Sequence, residues 1–449
     1  MKYFFLGTLI VLLVLSVFAG IIKPDTQREG KTTLVLVSDD NPVRREQIGL
    51  FNKLNPDLHL ILDPANADMQ KVIVQSIGGV GPDLFTAYDG IQLSAYVNSG
   101  IAWDVTEQLK KEGINVQDDL WRASDPTFIY EGRTYGFPAN MAVNAIWFNK
   151  DIFDEYNIPY PERIETWEDF IVLAKKLTVQ DENGRHKHFG FLFDLLLVQN
   201  FLKMWGADIY TPDGTQCILD TPEAISAVQF MQDLIYKYKV SPSPVQEAAM
   251  ATQGGWGTGT ITWFGGGKGA MALGGRWWLC LLRDYENLRL GAVACPHGPG
   301  KKYLGYGKSV LVNKYSPHRE KALRFLIYMY GKPYNDLINH QADALAPVKK
   351  YCYSPEYLHD PDFPQEDFND VWRDIMNYAE PGWVSPFVSG SVVYRILTKQ
   401  LDLVKANEKT AELAMKEAAR LINAEMRKNI TANPHLKEKY AKITGETIE

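Results

Sequence analysis

The chain has 449 residues, 46% of them hydrophobic and 22% charged, and a formal net charge of −7. That length points to two domains rather than one, and the acidic balance excludes a general affinity for nucleic acid or anionic membrane surfaces. No low-complexity stretch and no internal repeat occurs, so a globular protein with a sizeable core is expected.

Met1-Lys2 precede an apolar run from Tyr3 to Ile22. A charged start before such a run reads as a secretory signal or an uncleaved membrane anchor over residues 1–22. Val17-Phe18-Ala19 suits cleavage before Gly20, whereas Lys23-Pro24 suits a retained anchor. A periplasmic or extracellular location is expected, with membrane contact only through this segment if it stays attached. Residues 24–31 read as a polar linker. Thr32–Val37 is a β-rich run that ends in the turn signal Ser38-Asp39-Asp40-Asn41-Pro42. Ile48, Phe51 and Leu54 make a helical stripe; His59–Leu62 reads as a strand, Met69–Ile77 as a helix and Leu84–Ala87 as a strand. This alternation predicts a mainly parallel sheet with helices on both faces. Ligands of such sheets sit at the carboxyl ends of the strands, here the loops Ser38–Asn41 and Tyr88-Asp89-Gly90.

Residues 132–178 give a short strand, a second strand ending in Asn149-Lys150, a proline-set bend and an amphipathic helix capped by Thr166. Thr221-Pro222-Glu223 opens another helix, with Ala224, Val228, Met231 and Ile235 as its buried stripe. Ser316-Pro317 leads into a helix through Tyr330, and Ser391 to Met426 reads as helical, followed by a polar, frayed tail over 428–449. Cys217, Cys280, Cys295 and Cys352 match no zinc or redox spacing, and no disulfide is assigned. The 11 Trp and 23 Tyr are enough to fill a core and still spare flat rings for stacking on a pyranose.

Catalytic motifs do not emerge. There is no GxSxG elbow, HExxH or phosphate loop, and Gly265–Gly269 lacks the hydroxyl residue after Lys268 that a phosphate cradle needs. His186-Lys187-His188 has no further ligand nearby in sequence, so neither a metal nor a cofactor is expected. A glycosidase needs only two carboxylates across a cleft, and Asp39, Asp40 and Asp89 keep that alternative open.

Several fragments occur in one characteristic order: Gly81-Pro82-Asp83-Leu84-Phe85, Gly136-Phe137-Pro138, Asn144 through Asn149-Lys150-Asp151-Ile152-Phe153, Ile158-Pro159, Thr166–Phe170, Gly267–Met271 and Gly274-Gly275-Arg276-Trp277. Together they resemble bacterial extracellular solute-binding proteins of the sugar-binding family, which includes maltose-binding proteins. The resemblance implies a type II periplasmic-binding-protein-like fold: two discontinuous α/β lobes joined by a hinge. Lobe 1 is expected over 32–139 plus 297–345, and the more helical lobe 2 over 140–296 plus 346–427. Crossovers fall near Ala139–Val143, Ala294–Gly298 and Leu345–Val348, beside Pro138, Pro296 and Pro347. The implied function is capture of a sugar or oligosaccharide for the transmembrane subunits of an ABC permease, by a monomer that is not an enzyme. The implied ligand residues are Asp39, Asp40, Tyr88, Asp89, Asn140, Asn144, Arg276, Trp277 and Trp383, with Trp277 as the stacking ring. Trp278 is assigned to the core, and Trp205, Trp256 and Trp263 to packing. A glycoside hydrolase or lyase, or a membrane-tethered glycan sensor, remains the alternative. The Gly- and Trp-rich segment Thr252–Trp263 departs from the family pattern.

Overall fold

A seven-residue run, KTTLVLV, alternates half-buried and buried side chains and becomes a strand because one of its faces must leave water. The computed structural model describes residues 27–28, 30–64, 68–250 and 259–446. The expected leader, residues 1–22, and Trp256 lie outside them. Among the described residues no helix is long and apolar enough to cross a membrane.

The first sheet holds β1 (Gln27–Arg28), β2 (Lys31–Val37), β3 (Leu58–Asp63), β4 (Leu84–Ala87), β7 (Gly136–Ala142) and β14 (Tyr306–Val312). Strands β3 and β4 flank β2 in parallel, with Leu34 opposite Leu60 and Leu36 opposite Leu84. The prediction of a mainly parallel sheet is corrected beyond that point. Strand β14 runs antiparallel to both β4 and β7, because it returns from the other half of the molecule and not from a local crossover helix. The expected linker also includes β1, which folds back antiparallel on β2. A short hairpin, β5 (Ile129–Tyr130) with β6 (Arg133–Thr134), precedes β7.

The second sheet is ordered β12-β8-β11-β10-β9, from β8 (Asn144–Asn149), β9 (Val179–Gln180), β10 (His186–Leu192), β11 (Gly269–Gly275) and β12 (Leu290–Val293). Strands β8 and β11 are buried along their whole length, which a strand covered on both faces requires. The chain therefore changes sheets at Val143, between β7 and β8. It returns after β12 through β13 (Tyr303–Leu304), which pairs in parallel with β15 (Ala379–Glu380). A third strand-like pass joins here: Met141 and Leu345 exchange backbone hydrogen bonds of 3.0 and 2.7 Å.

Helix starts follow local chemistry. Asn41 accepts from the Arg44 N–H at 2.8 Å and caps helix Pro42–Leu54. Thr166 accepts from the Asp169 N–H at 3.0 Å and caps Trp167–Lys176. Helix Pro222–Tyr236 buries the four stripe residues named above. After Ser316 the helix begins only at Arg319, since the Ser316 hydroxyl is spent on Asp83 and on the His318 N–H. Most tryptophans serve packing: Trp147 lies 4.4 Å from Trp372 between ring centres, and Trp167, Trp205 and Phe230 cluster in the second half.

The frayed tail is a second correction. Helix Ala411–Ala432 continues past Lys428, and Pro434–Thr444 forms a further helix whose Asn433 cap accepts from the His435 N–H at 3.0 Å. Its Tyr440 ring packs 5.6 Å from Phe387, while Lys439 donates at 3.0 Å to the Tyr130 hydroxyl of the first half. All four cysteines are free thiols.

Candidate functional site

A cavity of about 520 Å³ lies between the halves built on the two sheets. The first contributes Tyr88, Asp89, Gln92, Pro126 and Thr127; the second contributes Gln199, Tyr210, Trp383 and Tyr394; the returning strand β14 adds Tyr306 and Gly307. Size and lining, mostly apolar with a few converging polar groups, suit a small-molecule site.

Asp89 follows β4 and caps helix Gly90–Asn98, its Oδ1 accepting from the Gln92 N–H at 2.8 Å. Burial pushes its carboxyl above the ordinary range against the pull of that helix terminus. Thus Asp89 is a helix cap and a cavity wall at once. Tyr88 reaches from the wall toward a charged cluster, donating through its hydroxyl to Asp39 at 3.2 Å. In that cluster Asp39 pairs with Lys308 and lies 3.6 Å from Arg44, and Arg44 pairs with Asp343 at 3.1 Å. Burial raises the Asp39 carboxyl, but Lys308 and Arg44 outweigh it and hold the group well below the usual carboxylate range. Burial and the Arg44 charge pull Lys308 down to about 8 against its acidic neighbours. Two acids face two bases, so the cluster is neutral as a unit.

On the other wall, a buried Lys203–Asp208 pair at 2.9 Å holds Trp383. Asp208 accepts from the Trp383 N–H at 3.0 Å, and the Lys203 ammonium sits 4.7 Å from the indole centre. At the back of the cavity the Tyr306 hydroxyl donates to Asn144 at 2.9 Å, and Asn144 donates to Asn200 at 3.0 Å. This chain of bonds ties β14 of the first sheet to β8 of the second. Gly275 makes room for it: a Cβ there would stand 2.6 Å from the Trp277 ring and 3.3 Å from the Tyr306 hydroxyl.

Of the sequence-expected ligand residues, the cavity brings together Tyr88, Asp89 and Trp383. Asp39 adjoins it through Tyr88, and Asn144 stands behind Tyr306. Asn140 is engaged outside it, donating to Asp343 at 3.1 Å. Asp40 is on the surface, paired with Arg45 at 2.6 Å. Trp277 lines a separate cavity of about 260 Å³ with Phe193, Leu197 and Trp263. Arg276 requires correction. It is 1% exposed, and its guanidinium donates to Asn369 at 2.7 Å, the Asn339 carbonyl at 2.9 Å and the Ala344 carbonyl at 3.0 Å. It is a buried fork that stitches β11 to the third crossing, with each of its three nitrogens bonded to the protein. Tyr210, Tyr306 and Gln199 escaped the sequence reading. Only Tyr210 carried a signal, since Thr211-Pro212-Asp213-Gly214 marks a turn beside it.

His186 and His188, two apart in sequence, are engaged with the protein itself: His186 stacks 4.3 Å from Phe189, and the His188 Nδ1 lies 2.8 Å from the Leu177 carbonyl. Away from the cavity, the His340 Nδ1 lies 2.9 Å from Asp360 and 4.0 Å from Asp362, which closes a loop onto the end of helix Lys332–Gln341.

Two sheets joined by three crossings, with a cavity between them, define a two-lobed binding protein of the type II periplasmic class. The chain belongs to the bacterial extracellular solute-binding protein family, whose sequence profile matches residues 23–336. It is similar to an arabinooligosaccharide-binding protein of Halalkalibacterium halodurans, 26% identical over 69% of this chain and 70% of that one. Its fold is similar to an ABC substrate-binding protein from Listeria monocytogenes in complex with cycloalternan, with a TM-score of 0.74 and 23% identity over 88% of this chain and 99% of the other. It is also similar to the maltose/maltodextrin-binding domain MalE from Bdellovibrio bacteriovorus bound to maltotriose, with a TM-score of 0.69 and 20% identity over 88% and 100%.

Proposed function

We propose that this protein is the extracellular substrate-binding component of an ABC importer, which captures a sugar or oligosaccharide by hinge closure and presents it to membrane permease subunits. The observation that carries this reading is the interlobe cavity, where rings of Tyr88, Trp383 and Tyr394 stand among Asp89, Gln92, Gln199 and Tyr210. Rings stack on the C–H faces of a pyranose, and the polar groups meet its hydroxyls. The related protein of Halalkalibacterium halodurans, named for arabinooligosaccharide binding, points the same way.

In this reading the lobes are those built on the two sheets. Residues 140–142 go to lobe 1 with the rest of β7, and the hinge begins at Val143. Closure is a shift of population, so the ligand must touch both walls in the closed form better than one wall in the open form. Among the described residues the cavity is lined by one carboxylate, Asp89, whereas the usual glycosidase places two across its cleft, which favours capture over hydrolysis. Small-angle scattering with and without glycans tests the reading, alongside mass spectrometry of the recovered sugar. A smaller radius of gyration with intact sugar is expected. An unchanged curve across all glycans, or a cleaved product, refutes it.

A further inference from the structure

We propose that Tyr210 and Asp89 make the cavity selective for uncharged sugars over acidic ones, with the Tyr210 hydroxyl hydrogen-bonding directly to a sugar hydroxyl. This rests on the sugar reading above and specifies its ligand class.

Tyr210 is 2% exposed, and its hydroxyl has no hydrogen-bond partner among the described residues. Of the buried side-chain polar atoms in that state, it alone belongs to a residue that lines the interlobe cavity. A buried hydroxyl left unpaired is destabilising, and a ligand that bonds to it recovers the loss. Its backbone is fixed by an antiparallel bridge to Cys217, so the ring is held in place before any ligand arrives. Burial, then the neighbouring Cys217 and Asp89, pushes its pKa upward, and the hydroxyl stays protonated and able to donate.

Charge supplies the second half of the argument. Among the described residues that line the cavity, Asp89 is the one formally charged side chain. The lysines beside the walls are already matched, Lys203 by Asp208 and Lys308 by Asp39. A uronate or phosphorylated sugar would bring an anion next to Asp89 with no unmatched cation to receive it. A neutral sugar offers hydroxyls that donate to Asp89 and either donate to or accept from Tyr210.

The test uses the full chain on an array of immobilised neutral and uronate-bearing oligosaccharides, followed by titration calorimetry with the free form of each hit. All hits are expected to be neutral. Tyr210→Phe is expected to weaken each by about five- to tenfold, the size of one hydrogen bond. The melting temperature of the unliganded protein should stay level or rise, which separates a loss of affinity from a loss of folding. Asp89→Asn keeps the helix cap and is expected to gain uronate binding by at least tenfold. Wild-type binding of uronates as tight as that of neutral glycans overturns the proposal, as does a folded Tyr210→Phe variant with unchanged affinity. If neutral glycans still bind in either case, the sugar reading stands alone. Absence of any array hit defeats both.

Discussion

Trp383→Ala probes the cavity most directly. The indole is fastened from behind, by Asp208 through its backbone N–H and by Lys203 over one ring face. Lys203 thereby occupies one of the two ring faces, and Trp383 also lines the cavity. An indole buries roughly 200 Å² when fully covered, so about 100 Å² remains for a ligand. At about 25 cal/mol per Å² that contact is worth about 2.5 kcal/mol, or about 60-fold in Kd. Titration calorimetry on a glycan that the wild type binds gives the number, with circular dichroism as the check on folding. A folded variant whose Kd stays within threefold of wild type would refute the placement of the ligand against this ring.

Three further outcomes are expected. Asp39→Asn leaves Lys308 and Arg44 short of a buried counter-charge and should cost about 3–5 kcal/mol in urea denaturation. Because Asp39 titrates lower in the folded than in the unfolded chain, its stabilisation is present above about pH 4 and fades as the pH falls further. The wild-type advantage over Asp39→Asn in melting temperature should therefore shrink in acid, and an advantage that grows there contradicts the ion-pair account. Arg276→Lys cannot span Asn369, Asn339 and Ala344 together; a loss of about 2–4 kcal/mol is expected, and a loss under 0.5 kcal/mol would show the fork to be dispensable. Trp277→Ala should weaken only oligosaccharides long enough to reach the second cavity, by about 2 kcal/mol, and equal loss for a monosaccharide would contradict the separation of the two cavities.

The parts of the fold written in short-range chemistry were legible in the sequence. A β-rich run marked the strand at Thr32–Val37, the Thr166 hydroxyl marked a helix start, and the loop after β4 held Tyr88 and Asp89. What failed depended on contacts remote in sequence. An arginine beside a tryptophan in a strand-end loop looks like a ligand clamp; only the carbonyls of Asn339 and Ala344, more than sixty residues away, reveal it as a buried fork. Lys308 pairs with Asp39 across 269 residues, and nothing around either position announces the other. The antiparallel run of β14 follows from the return of the chain after a second lobe, which no local pattern encodes. The C-terminal helix is different: Asn433-Pro434 is a start signal, and its polar surroundings disguised it.

That last helix touches both halves of the molecule. Tyr440 rests on Phe387 of one half, while Lys439 grips Tyr130 of the other and lies 3.9 Å from Glu131. A brace of this kind links the two halves through residues that do not line the cavity. The lysine grip is a hydrogen bond with an acid beside it, so any change in the angle between the halves has to break and remake this tie, which gives the C-terminal helix a mechanical share in their relative movement.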